Sequence, residues 1–531
     1  MPFSKPPPPD MNAFPLRVGC VDMGSNAIRF IAAEFTDDAT MVRLDQHRSP
    51  VRLGHGVYLS GRLNPAAMDG AVEAMVDFRR RLDALGITKF RAVATSAVRE
   101  SRNGGDLVDR IRDEAGMELE AISGSEEARL VHLAVSRRVP LVNGQFLLAD
   151  LGGGSVEVSL VDETGILWSE SHTMGSVRLL EELTESGADP GRFRRLLSEY
   201  ISVLKIPQAA SQGEIAGYVA TGGNIETLAK LGGSTDDEGV TTLPVPVLRE
   251  VIEKLAGMSF HQRVEELGLR EDRADVVLPA ALVYERLADL IGIDEIIVPH
   301  VGIKEGVLFD LVDGTVRHQD HELRQAREVV AGATVIGRKY LFDEPHARHI
   351  AELSVSLFDQ MRALHGLGAD ERRILLAAGM LHDIGQFVSY KGHHKHTLYL
   401  VSHSELPSFS QKQMMLVANV ARYHRKGHPA PHHPNFANLP PVDQERVLKL
   451  AAILRLADSL DREHVQRVTG VRVKISEDEL TLSLSGSSGV ILEGWGLKKK
   501  TQLFTKVYGL KVRVRMVRSH RQRRATESRA V

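Results

Sequence analysis

The chain has 531 residues, 43% of them hydrophobic and 25% charged, with a formal net charge of −3. This length predicts three or four domains, and the composition is that of an ordinary globular protein. The small net charge excludes a chain that grips polyanions over its whole surface. The single cysteine, Cys20, excludes a disulfide framework and favours a reducing, cytoplasmic setting, and no apolar run approaches membrane-span length.

Residues 1–15, MPFSKPPPPDMNAFP, are proline-rich without an apolar signal core and read as a disordered leader. Residues 16–35, LRVGCVDMGSNAIRFIAAEF, read as a hairpin around Asp22-Met-Gly-Ser, and 146–163, FLLADLGGGSVEVSLVDE, repeat it around Asp150-Leu-Gly-Gly. The glycines Gly24, Gly152, Gly153 and Gly154 let backbone approach an anion without a Cβ in the way. The turn N–H groups and the Ser25 and Ser155 hydroxyls suit phosphate oxygens, and Asp22 and Asp150, at equivalent strand ends, suit Mg²⁺. Two such turns in one chain imply duplicated lobes closing on one phosphate.

Between and after the hairpins, β and α patterns alternate. Residues 68–87 have helical spacing and 90–101, FRAVATSAVRES, run from strand to helix. Residues 119–138 read as strand, Ser-Gly-Ser turn and helix, 218–231 (YVATGGNIETLAKL) as strand, glycine turn and helix, and 295–312 as strand, loop and helix. This pattern predicts an α/β fold. Thr95 and Ser96 end one strand, and Arg99, on the next helical turn, is suited to a bidentate phosphate contact. Glu126 and Glu127 open a helix. Glu126 reads either as a carboxylate that polarises water or binds metal, or as a first-turn acid that complements the helix dipole. Thr221, Gly222 and Gly223 again leave open backbone at a strand–helix junction.

The segments DMGSNAIR (22–29), VATSAVRES (93–101), ISGSEEARL (122–130), DLGGGSVE (150–157), MGSVRL (174–179), TGGN (221–224) and GIKEGVL (302–308) together resemble, in order, the exopolyphosphatase / guanosine pentaphosphate phosphatase (Ppx/GppA) family. The resemblance covers residues 16–312. It implies two actin-like lobes of the sugar-kinase-like ATPase superfamily (ASKHA, ribonuclease H-like). It further implies Glu126 as the base that activates water, Mg²⁺ on Asp22, Asp150 and Glu126, and Glu157 supporting the second turn. Ser25, Asn26, Gly152, Gly153, Gly154 and Ser155, with Gly222 and Gly223, would cradle the terminal phosphoryl group, and Arg99 would clamp its oxygens. Two positions depart from the family's usual pattern: Ala27 stands where Ser is frequent, and Asn224 where Thr is more usual.

From about residue 318 to 470 the pattern is helical, and from 471 (VRVKISEDELTLSLSG) it alternates like strands. The expected organisation is a leader (1–15), lobe I (16–140), lobe II (141–315), an all-α domain (316–470) and a small α/β appendage with a basic tail (471–531). In the helical region His346, His382-Asp383 and Asp458 form a metal set by residue type, with His349 as the alternative first ligand. The pattern resembles the HD phosphohydrolase domain that longer family members carry, which implies a second divalent metal. The remaining histidines (His393, His394, His396, His403, His424, His428, His432, His433) read instead as lining a polyanion path with Arg422, Arg425 and Lys426. From Gly494 to Thr526 there is no acidic residue, and Lys498, Lys499, Lys500, Lys506, Lys511, Arg513, Arg515, Arg518, Arg521, Arg523 and Arg524 crowd the stretch. It reads as a solvated tail or as a polyanion-guiding surface.

The resemblance implies a Mg²⁺-dependent hydrolase that removes the terminal phosphate of inorganic polyphosphate. The alternative at the same site is 5′-phosphate hydrolysis of pppGpp, and a non-catalytic polyphosphate or alarmone sensor is a more distant one. A homodimer is implied; membrane and nucleic acid are not expected partners.

Overall fold

The protein, described here from a computed structural model, is defined over residues 13–184, 190–206, 215–316, 318–486 and 491–516. The proline-rich leader to residue 12 and Arg518, Arg521, Arg523 and Arg524 of the basic tail lie outside the described residues. So do the side chains of Lys498 and Lys499. The chain forms two compact units, Met1–Arg324 and Gln325–Val531.

The first unit holds two sheets. Strands β1 (Leu16–Met23), β2 (Ile28–Phe35), β3 (Met41–Ser49), β4 (Lys89–Ala94) and β5 (Leu119–Ala121) lie in the order β3-β2-β1-β4-β5. Strands β6 (Gln145–Leu151), β7 (Val156–Asp162), β8 (Gly165–His172), β9 (Ile215–Thr221), β10 (Ser234–Thr235), β11 (Thr241–Pro244) and β12 (Glu295–Val298) lie in the order β10-β11-β12-β9-β6-β7-β8. Read from the opposite edge, β8-β7-β6-β9-β12 repeats the first sheet strand for strand. In both, the opening strand pairs antiparallel with its hairpin partner and parallel with the strand on its other side. The duplication read from the two Asp-Gly turns is therefore a duplication of the whole sheet.

The central strands are apolar on both faces because helices cover both sides. The inner residues of β1 and β6 are buried throughout. The helix Ile303–Val316 departs from the expected partition at residue 140/141. It follows the last strand of lobe II, yet it buries Val307, Leu308 and Val312 with Val18, Ile31 and Leu130 of lobe I. Gly306 makes this crossing possible, since a Cβ there would overlap the Leu130 carbonyl in the helix Gly124–Ser136. The last lobe II helix thus ties the lobes into one unit.

The second unit is helical, with a three-stranded sheet, β13 (Val468–Ile475), β14 (Glu479–Gly486) and β15 (Lys511–Met516), in sequence order. The expected appendage does not have a core of its own. Leu480, Leu482 and Leu484 of β14, with Leu503 and Phe504 of the helix Ile491–Tyr508, bury into the same cluster as Ile350, Leu375 and Leu454 of the helices. Two glycines set close crossings. A Cβ on Gly379 would lie 2.8 Å from the Ala351 Cα, and one on Gly385 would overlap the His393 carbonyl. These contacts bring the helix ending at Leu381 against Glu344–Gln360, and the Ile384-Gly385 turn against the helix His393–Ser402. No helix among the described residues is long and apolar enough to cross a membrane.

Candidate functional site

The two hairpin turns meet. Each is closed by one bond of the same kind, Gly24 N–H to Ala27 O at 3.2 Å and Gly152 N–H to Ser155 O at 3.0 Å. A Cβ on Gly153 would lie 2.8 Å from the Ser25 Cβ, and one on Gly154 would overlap the hydroxyls of Tyr58 and Ser96. Ser25 Oγ shares hydrogen bonds with Tyr58 Oη (2.6 Å) and Ser96 Oγ (3.1 Å). Asn26 Nδ2 donates across the cleft to the Asp272 carbonyl at 2.8 Å, and Arg48 and Arg52 pair with Asp272 and Asp275 of lobe II. These contacts hold the two turns beside each other.

Asp22 and Asp150 stand at matching registers, opposite Arg29 and Glu157 of their hairpins. Arg29 Nη1 donates to Asp22 Oδ2 at 3.0 Å, and Thr221 Oγ1 donates to Asp150 Oδ1 at 2.7 Å. Gly222, at φ +101°, turns the chain beside Asp150, and Gly223 packs against Arg273. Both aspartates and both glycines line one cavity of ≈ 410 Å³, together with Arg29, Arg48, Lys230, Arg270, Arg273 and Lys304. Arg273 is placed by Asn224, whose Oδ1 accepts from it at 3.0 Å and whose Nδ2 donates to Ser176 Oγ at 3.0 Å. The Asn that departs from the family pattern thus has a definite task. Burial and the neighbouring Arg29 lower the Arg273 guanidinium to about 10.

The structure separates the two glutamates of the helix Gly124–Ser136. Glu126 does not join the aspartates. Its carboxylate accepts from Arg129 Nε (2.7 Å) and Nη2 (2.9 Å) and from Arg91 Nη1 (3.1 Å), with Asp310 beyond them. Burial raises its pKa, but the charges of Arg129 and Arg91 outweigh burial and hold it below the usual carboxylate range. Glu127, one residue on, feels Glu157, Arg99 and Asp150 instead. Burial, and then the Glu157 charge, push it well above the carboxylate range. Arg99 grips Glu127 and donates to the Ile122 carbonyl at 2.7 Å, so in this state it serves that carboxylate. Glu126, expected with the aspartates, thus sits in a buried ion network, and the carboxylate that feels Glu157 and Asp150 is that of Glu127.

Glu157 carries the second carboxylate of that pair. Its Oε1 accepts from Ser155 Oγ (2.7 Å) and Ser171 Oγ (2.9 Å), while its buried Oε2 has no hydrogen-bond partner. Burial and the Asp150 charge push it up to about 7, and burial also raises Asp150. Ser155 thus supports Glu157, which supports the turn. Arg178 braces the same turn, its Nε donating to the Gly154 carbonyl at 2.8 Å and its guanidinium lying 4.1 Å from the Tyr58 ring centre. Tyr58, Arg178 and Arg273 were missed in the sequence. The MGSVRL segment contains Arg178, but Tyr58 and Arg273 lie outside every motif.

Among the described residues, the sets of three carboxylate or imidazole ligand atoms within 4.8 Å of one another all fall in the second unit. There His346, His382 and Asp458 converge as the sequence suggested, and Asp383 adjoins His382. His349 is not among these sets. His393 and His424, expected on a polyanion path, are buried and instead form a set with Asp383. Nor do the described basic residues of the C-terminal stretch all face outward: Lys500 pairs with Asp458 inside the unit.

The model of the Ppx/GppA phosphatase family matches residues 32–315, and that of Ppx/GppA phosphatase domain III matches residues 330–503. The chain belongs to the Ppx/GppA phosphatase family. Like its relatives, this Ppx/GppA phosphatase is a hydrolase of phosphoanhydride bonds. It is 29% identical over 309 residues to proteins named exopolyphosphatase 1 from Mycobacterium tuberculosis and Mycobacterium bovis, covering 56% of this chain and 89% of theirs. A solved exopolyphosphatase from Cytophaga hutchinsonii is 29% identical, with a TM-score of 0.52 over 56% of this chain and 98% of that one. A family member from Aquifex aeolicus is 24% identical, with a TM-score of 0.47, covering 56% of this chain and 97% of its own.

Proposed function

We propose that this Ppx/GppA phosphatase is an exopolyphosphatase that releases orthophosphate from the end of inorganic polyphosphate, with Glu127 as the base. The cavity carries the reading. Six cationic side chains, Arg29, Arg48, Lys230, Arg270, Arg273 and Lys304, face it against three carboxylates, Asp22, Asp150 and Glu226, and among the described residues its lining contains no Phe, Tyr or Trp. Such a lining suits a bare polyanion better than a purine, which gains from an aromatic platform. The names of the relatives point the same way.

In this reading the terminal phosphoryl group lies between the turns of residues 22–26 and 150–155. Glu127 takes a proton from the attacking water, the water oxygen bonds to phosphorus, and the bridging P–O bond breaks toward the rest of the chain. Arg99 positions Glu127. Three buried carboxylates with raised affinity for protons, and the unpartnered Glu157 Oε2, fit a divalent cation. We assign it to two of them, Asp150 and Glu157. A bound Mg²⁺ would neutralise charge on the transferred phosphoryl group, held by few carboxylates plus water and phosphate oxygens. A homodimer in a reducing compartment completes the proposal, and light scattering checks the first.

The cation has a thermodynamic signature. Glu157 has its folded pKa raised from 4.5 to about 7. A raised carboxylate binds its proton more tightly when folded, so the metal-free protein loses stability as pH rises through this window. A cation that neutralises the ionised carboxylates removes the loss. Mg²⁺ is therefore expected to raise the melting temperature more at pH 8 than at pH 5, and Glu157→Gln is expected to shrink that difference. An equal Mg²⁺ shift at both pH values would count against the assignment.

The substrate is tested by measuring phosphate release from long-chain polyphosphate and from pppGpp side by side with Mg²⁺. Faster release from polyphosphate is expected. Release from pppGpp alone would move the enzyme to the alarmone branch, and binding without release from either would make it a sensor.

A further inference from the structure

Three hydroxyls meet where the two phosphate turns touch, and they come from three segments of the chain. Ser25 belongs to the first turn, Ser96 opens the helix Ser96–Glu100, and Tyr58 lies on the short helix Val57–Ser60. Tyr58 Oη is 2.6 Å from Ser25 Oγ and 3.2 Å from Ser96 Oγ, and the two serine oxygens are 3.1 Å apart. The phenol reaches between the turns because Gly154 has no side chain; a Cβ there would overlap the hydroxyls of Tyr58 and Ser96. Gly54 holds the Tyr58 segment against the first turn. Its N–H donates to the Ser25 carbonyl at 2.7 Å, and a Cβ on it would lie 3.2 Å from the Tyr58 ring.

Among the described residues, these hydroxyls bond only to one another; no carbonyl or carboxylate holds their protons. Tyrosines that only brace the fold are satisfied differently. Tyr284 Oη donates to the Thr221 carbonyl at 2.9 Å, and Tyr508 Oη to the Lys449 carbonyl at 3.2 Å. A carbonyl fixes the proton it accepts, whereas a neighbouring hydroxyl can donate or accept and turns freely. The triangle can therefore swing its protons toward an incoming oxyanion at little cost. Arg178 fixes the ring but not the hydroxyl, with its guanidinium 4.1 Å from the ring centre and its Nε on the Gly154 carbonyl. Burial pushes the Tyr58 phenol up to about 12, against the pull of the two serines and of Arg178, so it meets an anion as a neutral donor.

We propose that Tyr58 is a further catalytic residue of this hydrolase, whose hydroxyl donates, together with those of Ser25 and Ser96, to the non-bridging oxygens of the transferred phosphoryl group. The inference rests on the reading that this group lies between the turns of residues 22–26 and 150–155. Binding exchanges hydroxyl–hydroxyl contacts for charge-assisted ones, which are shorter and about twice as strong. The donors are already in place and aimed at the oxygens on which charge is spread in the transition state, so they act there without reorganisation. The phenol keeps its proton throughout, and no bond to Tyr58 forms. The competing role is packing alone, in which the ring joins the lobes through Arg178 and the hydroxyl is idle.

The test compares Tyr58→Phe and Tyr58→Leu with wild type in the full chain. Tyr58→Phe keeps the ring on Arg178 and removes only the hydroxyl. Its turnover of polyphosphate is expected to fall about 10²-fold, the loss expected when one donor to a developing oxyanion is removed. KM is expected to stay unchanged, as for an interaction made in the transition state. Orthovanadate, which copies the shape of the transferring phosphoryl group, should inhibit the variant about 10²-fold less tightly, while inhibition by orthophosphate changes far less. A second readout does not depend on activity. In protein carrying 3-fluorotyrosine, the fluorine resonance missing from Tyr58→Phe belongs to Tyr58, and vanadate is expected to shift it in wild type. Wild-type turnover in Tyr58→Phe would overturn the donor role, and a loss confined to Tyr58→Leu would then assign the ring to packing. A Tyr58 resonance unmoved by bound vanadate would overturn the contact. A wild-type protein that neither releases phosphate nor binds vanadate would overturn the reading of the cleft itself, and this inference with it.

Discussion

Glu127→Gln is expected to lower the turnover of phosphate release by about 10²–10⁴-fold, the usual range for removing a general base. The amide keeps the shape and can still accept from Arg99, so the loss reports the base rather than the fold. It also removes one charge from the buried cluster with Glu157 and Asp150, so the metal-free variant is expected to melt no lower than wild type. Glu126→Ala should behave in the opposite way. It withdraws a carboxylate from Arg129 and Arg91 in a buried site, leaving Asp310 to Arg129 and Glu120 and Asp310 to Arg91. The cost is on the order of 3 kcal/mol of stability, with turnover of the folded fraction largely kept. Turnover and melting measured on both variants decide the assignment. If Glu126→Ala lost the chemistry while Glu127→Gln kept it, the roles would be reversed.

Gly175→Ala is expected to damage both stability and rate, although Gly175 holds no chemistry. A Cβ there would overlap the backbone of Gly153 and Gly154, which cannot rotate away as a side chain could. Overpacking of this kind costs about 1–3 kcal/mol. Here it also pushes the second phosphate turn out of place, and a displacement near 1 Å at a reacting centre costs about 10²-fold in rate. Gly105→Ala is the control. It lies in the helix Gly104–Ala115 with nothing within 4 Å of its added Cβ, and it should stabilise slightly while leaving the rate alone. Equal rates for the two alanine variants would show that the contact of Gly175 with the turn does not matter to catalysis.

Those features of the cleft that reside in one segment were legible in the sequence. The Asp-Gly turns at Asp22 and Asp150 depend on local chemistry, so they could be read and paired, and the alternating pattern carried the fold class. What depended on direction was not. Glu126 and Glu127 are neighbours on one helix, where successive residues point about 100° apart, and the sequence gives position without azimuth. One local signal was present: Arg129, three residues beyond Glu126, is at ion-pair spacing on the same face, which leaves Glu127 to point elsewhere. What depended on long-range topology was also hidden. His393 and His424 are 31 residues apart and meet over Asp383 only because Gly385 lets the turn pack against the helix His393–Ser402. The return of the helix Ile303–Val316 to lobe I likewise follows from Gly306 and the apolar face it serves, and composition does not show it.

The most direct test of the central claim is diffraction from crystals of Glu127→Gln soaked with Mn²⁺ and a short polyphosphate, with Mn²⁺ located by its anomalous signal. The terminal phosphoryl group is predicted to lie between the turns of residues 22–26 and 150–155, with Mn²⁺ beside Asp150 and Glu157 and the substituted amide side chain facing the phosphorus. A chain end bound away from those turns, or Mn²⁺ absent from Asp150 and Glu157 while polyphosphate occupies the cleft, would contradict it.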